Sequence, residues 1–108
     1  MYDREHDEDW YAFKNIPDNP IRLDFTGCKS YWQFHVILKE AFGFPEYYGK
    51  NFDALWDCLD GLFRDERTVE IYGLHSLPAG FAEDIRILLK IFKCVHEETP
   101  NVTFVVIS

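Results

Sequence analysis

Three aspartates and a tryptophan fall within one short run near the middle of the chain, Phe-Asp-Ala-Leu-Trp-Asp-Cys-Leu-Asp-Gly at 52 to 61. They are Asp53, Asp57, Asp60 and Trp56. At the ~100° per residue of an α-helix the carboxylates gather into a sector of ~60°. Beside it, Phe52, Leu55, Leu59 and Leu62 occupy a sector of ~80°, the face that must meet a core. Trp56 lies between the two, half toward the core and half toward the acids. Local physics opposes this arrangement. Asp53 and Asp57 are like charges at i, i+4, worth a few tenths of a kcal/mol against the helix. Asp60 falls in the last turn, where the macrodipole disfavours an anion, and Asp is a mediocre helix former. A face that carries such penalties is a candidate for use; the plain alternative is a solvated acidic surface.

Carboxylates in this pattern support three kinds of chemistry. At i, i+4 and i+7 they could hold Mg²⁺. Two of them could act as an acid/base pair. All three could instead meet a cationic partner surface, with tryptophan and tyrosines as anchors. The first two need companions, such as a phosphate-binding loop or an activated nucleophile. The four histidines, His6, His35, His75 and His96, are scattered, and no Gly-rich loop joins a strand to a helix. Recognition is therefore favoured, with no catalytic residue, metal site or cofactor expected, and a Rossmann-like nucleotide site is unsupported.

The elements that must position these residues are legible from period and punctuation. "IRLDF" (21 to 25) alternates as a strand. Ser30 with Gln33 forms a capping box for a helix from Tyr31 to Ala41, with Trp32, Val36 and Phe42 inward and Gly43 as its stop. "GFPEYYGKN" (43 to 51) reads as a loop. Asn51 is a good N-cap and Gly61 a good C′ residue for the acidic helix. "TVEIYG" (68 to 73) is a second strand. Phe81, Ile85, Leu88, Leu89, Phe92 and Val95 make one apolar stripe on a helix from Leu77 to Glu98. "VTFVVIS" (102 to 108) is nearly continuously apolar, which suggests a strand covered on both faces. The order β-α-α-β-α-β predicts an α/β fold, a small three-stranded parallel sheet packed with helices through right-handed crossovers.

Composition narrows the class. The 108 residues make one domain, and with 47% hydrophobic and 18% aromatic residues there is ample material for a core. No apolar run is long enough for a membrane span, and the N-terminus lacks a signal pattern, so a cytoplasmic location is expected. Cys28, Cys58 and Cys94 are widely spaced and odd in number, as expected of reduced thiols. A net charge of −8, from 19 acidic and 11 basic residues, argues against nucleic acid as partner and suits a basic protein. Residues 1 to 20 read as a partly ordered N-terminal extension in which Trp10, Tyr11, Phe13 and Ile16 could dock on the domain formed by 21 to 108.

The run "FPEYYGKNFDALWDCLDG" resembles the signature of the barstar family of intracellular ribonuclease inhibitors nearly letter for letter. The order of elements over 21 to 108 and the terminal "IS" are similar as well. The resemblance implies a barstar-like fold and a protein that plugs a ribonuclease active site with the acidic helix and the loop before it. Carried over residue by residue, Tyr47, Gly49, Asn51, Asp53, Trp56 and Asp57 match family interface positions. The position of Asp60 also lies in that interface but is not usually acidic. Asp57 matches the dominant anchor, whose carboxylate enters the pocket that otherwise takes a substrate phosphate. Asp53 is a second acid, and Tyr47 packs over the catalytic region. The implied protein is a non-enzymatic immunity protein, monomeric when free, whose partner is a basic ribonuclease or nuclease toxin. A barstar-like adaptor with a non-nuclease partner is the alternative. The chain departs from the family pattern at Leu62, where a tryptophan is usual, and at Cys94, which aligns with a glutamate. "LHSLPAG" (74 to 80) looks shorter than its counterpart, as if one short helix were missing, and the N-terminal extension is additional.

Overall fold

A computed structural model describes residues 13, 14 and 16 to 108. Strand β1 (Ile21–Asp24) leads into helix α1 (Tyr31–Phe42), helix α2 (Phe52–Leu59), strand β2 (Arg67–Tyr72), helix α3 (Ala82–Glu98) and strand β3 (Val102–Val106). The strands form one parallel sheet in the order β1-β2-β3, with Ile21 opposite Val69 and Val69 opposite Phe104. Both crossovers run in the same direction across the sheet. Right-handed connections then put all the helices on a single face. Burial agrees: Ile21 and Leu23 of β1 are buried while Arg22 and Asp24 are exposed.

The core lies between that face and the helices. Leu23, Phe34, Leu38, Leu55, Val69, Ile71 and Leu88 are all fully enclosed. Phe25 stacks on Phe34 at 4.8 Å, and Phe92 stacks on Phe104 at 4.3 Å, so aromatic pairs join sheet to helices at both ends. The opposite face is polar at its centre. The Tyr72 hydroxyl donates to Glu70 at 2.8 Å, and Arg22 lies 3.9 Å from the same carboxylate.

Three expectations need correction. Strand β3 is an edge strand left open on both faces at its end: the neighbours Val105 and Val106 point to opposite sides and both are exposed, as is Ile107 just beyond the strand. An apolar run fits a central strand and an edge strand equally, and only the strand order separates them. Trp32 does not point inward; it is 64% exposed, whereas Phe34, His35, Leu38 and Phe42 form the buried stripe of α1. Trp32 sits nearly opposite Phe34 on the helical wheel, and α1 is apolar enough all round to offer either stripe. Helix α3 begins at Ala82, because Leu77 before Pro78 is extended and the intervening chain forms two short 3₁₀ turns, Leu74–Ser76 and Ala79–Phe81. Other local expectations match. Ser30 and Gln33 form the reciprocal capping box, and Gly43 closes α1 in the left-handed region at φ 69°.

Candidate functional site

The acidic helix is held by signals within its own sequence. The Asn51 side-chain oxygen accepts from the Ala54 N–H at 2.8 Å, satisfying one of the free donors of the first turn. Gly61 follows the cap residue Asp60 at φ 75°, the left-handed turn that ends a helix. Leu55, Cys58 and Leu59 are buried, and Phe52, Trp56 and Leu62 are half-buried against the same core. Asp53, Asp57 and Asp60 are all exposed.

The preceding loop is built as tightly. The Gly43 carbonyl accepts from the Lys14 N–H at 2.8 Å, and a Cβ at Gly43 would lie 2.5 Å from the Lys14 carbonyl oxygen. The Tyr48 N–H donates to the Pro45 carbonyl at 3.0 Å, closing a turn. Lys39 of α1 pairs with Glu46 at 2.8 Å. Tyr48 is buried, while its neighbour Tyr47 is 46% exposed. The Asn51 side-chain amide also donates to the Gly49 carbonyl at 3.2 Å, and a Cβ at Gly49 would approach that amide to 3.3 Å. Gly49 and Asn51 thus shape the join between the loop and the helix while both remain exposed.

Beneath the loop lies a pair that the sequence pattern did not signal. His35 is fully buried, and its Nδ1 is hydrogen-bonded with Tyr48 Oη at 2.7 Å. Among the described residues its Nε2 has no partner. Burial, with the Lys50 charge second, lowers the His35 pKa from 6.5 to about 4. Burial likewise raises the Tyr48 phenol well above its ordinary range, so both members are neutral at pH 7. A buried His on a helix and a Tyr thirteen residues later leave no periodic trace; only the fold joins them.

Electrostatically, the face is anionic. Among the described residues, none of the three aspartates has a cation within ion-pair distance. Lys50 points over the Trp32 ring at 5.8 Å from its centroid. Cys58 sits inward of Asp57, and burial followed by the Asp57 charge pushes its thiol pKa up, which favours the protonated thiol. No group of three or more His, Cys, Asp or Glu among the described residues is placed to hold a metal ion. Tyr47, Asp57 and Asp60 line one open groove of about 470 Å³, together with Phe13, Leu62 and Arg64. Asp53 and Trp56 lie outside that groove on the same helix. Fixed carboxylates beside aromatic rings on a well-anchored backbone can receive cationic groups with little reorganisation.

Comparison with known proteins agrees with this architecture. The family described as Barstar (barnase inhibitor) matches residues 19–108. The Bacillus subtilis (strain 168) protein named "Putative ribonuclease inhibitor YrdF" is 63% identical over 41 residues, 38% of this chain and 45% of that relative. The alignment thus spans less than half of the relative's length. The match from residue 19 to residue 108, over a parallel three-stranded sheet that presents an acidic helix, makes this chain a member of the barstar family.

Proposed function

We propose that the chain is a protein inhibitor of a basic ribonuclease of the barnase type, acting as an immunity protein against a secreted or toxin nuclease. Helix α2 and the loop from 43 to 51 cover the nuclease active site, and the chain carries out no reaction of its own. The observation that carries this reading is the exposed row Asp53, Asp57 and Asp60, with no cationic partner among the described residues. The family's description and the name of the Bacillus relative support it.

In this reading Asp57 enters the pocket that binds substrate phosphate and supplies the negative charge expected there. Asp53 and Asp60 extend the charge to either side, and Tyr47 and Trp56 supply amphipathic rings at low entropic cost. Gly49 and Asn51 hold the loop against the start of α2 so that the acids arrive in register.

The test is inhibition of barnase by the purified chain, with Asp57→Ala beside it. Wild type should inhibit stoichiometrically, and Asp57→Ala should weaken binding by ~2–5 kcal/mol. That range includes the barnase–barstar pair itself. Full affinity in Asp57→Ala would remove Asp57 from the site. A captured partner without nuclease activity would establish the adaptor reading instead.

A further inference from the structure

The described part of the N-terminal extension is bound to the domain as a strap. The Arg67 guanidinium donates to the carbonyls of Ile16 at 2.6 Å and Asp18 at 3.0 Å. The Thr68 N–H donates to the Asn19 side chain at 3.0 Å, and the Lys14 N–H reaches the Gly43 carbonyl at 2.8 Å. Ile16 packs beside Gly43, where the missing side chain leaves it room. These contacts fix the end of the strap where Phe13 meets Phe44 edge-on, at 6.3 Å between ring centroids. Phe13 remains 44% exposed and forms part of the groove that holds Tyr47, Asp57 and Asp60. The family match begins at residue 19, so Phe13, Lys14, Ile16 and Asp18 precede it and Asn19 is its first residue.

We infer that the strap is a working part of the docking surface: Phe13 and Tyr47 flank a groove that receives an arginine side chain of the partner. The inference rests on the inhibitor reading and adds an element outside the matched family region. The groove combines aromatic rings with the carboxylates of Asp57 and Asp60. A guanidinium suits both, since it stacks on ring faces and bonds carboxylates through its planar fork. An ammonium lacks the flat surface, and a neutral side chain would leave the acids uncompensated. Arg64 lines the same groove and is exposed, so it opposes the incoming cation from the rim. The two carboxylates outnumber it.

Dissociation of the barnase complex tests the inference, measured for wild type, Phe13→Leu, Phe13→Tyr and Asp57→Ala. Phe13→Leu keeps apolar contact with Phe44 and removes the ring face. It should dissociate roughly three- to thirtyfold faster, with an unchanged melting temperature, the size of one cation–π contact. Phe13→Tyr should behave as wild type. Wild-type dissociation in Phe13→Leu, with Asp57→Ala impaired, would overturn the role of the strap and leave the inhibitor reading standing. Failure of the wild-type chain to bind barnase would overturn both.

Discussion

At the scale of single residues, adjacent tyrosines show how one motif divides its work. Tyr48 turns inward to His35, and Tyr47 turns outward to the groove. The His35 pair also makes stability depend on pH. The unfolded chain binds a proton near pH 6.5, and the folded chain only near pH 4. Between those values the unfolded state holds more protons, so stability is full above the unfolded pKa and falls as pH drops through the window. The His35 contribution should be about 2 kcal/mol smaller at pH 5 than at pH 7. Urea unfolding at both pH values, in wild type and His35→Gln, checks this: the substituted protein should lose that part of the slope. The surroundings explain the low pKa. Tyr31, Phe34 and Phe52 rings surround the imidazole, and the charge acting on it, Lys50, is of the wrong sign to stabilise a second cation.

At the scale of elements, α2 depends on its ends. Asn51→Ala removes the cap on Ala54 and the bond to the Gly49 carbonyl, and should destabilise the fold by about 1 kcal/mol. Chemical denaturation should show a lower midpoint with an unchanged m-value. Asn51→Asp, another good cap, should recover most of that loss. Two glycines separate conformation from space. Gly43 and Gly61 both have positive φ, but a Cβ at Gly61 meets nothing within 4 Å whereas one at Gly43 collides with the Lys14 carbonyl. Gly61→Ala should therefore cost about 1 kcal/mol, and Gly43→Ala more, since the strap must also shift. Comparing the two denaturation midpoints tests that order. These end signals were legible because capping is local: donor and acceptor lie within three residues, as at Asn51 and Ala54 or Ser30 and Gln33. The inward stripe of α1 was not, because Trp32 and Val36 offer as plausible an apolar face as Phe34 and Leu38. Contact with the sheet chooses between them.

At the scale of the whole molecule, charge and topology set how a partner is met. With a net charge of −8 and an acidic face that has no cationic partner among the described residues, association with the basic nuclease proposed above should be electrostatically steered. The association rate should fall by at least about tenfold between low salt and 0.5 M salt, while dissociation changes much less. Stopped-flow measurements at several ionic strengths distinguish this from an apolar interface, whose rate would hardly move. Among the described residues, no helix is long and apolar enough to cross a membrane.

The sequence by itself determined the order of elements, the parallel α/β class and the division of α2 into an apolar face and an acidic face. Each of these follows from periods and caps that span only a few residues. Tertiary structure decided three further things: that β3 is an open edge, that His35 finds Tyr48, and that Phe13 lines the groove of Asp57 and Asp60. The strand order is fixed by pairing across the sheet, and the strap is held by Arg67 from some fifty positions along the chain. Contacts at that separation carry no local period, and only the folded chain brings Phe13 to Asp57.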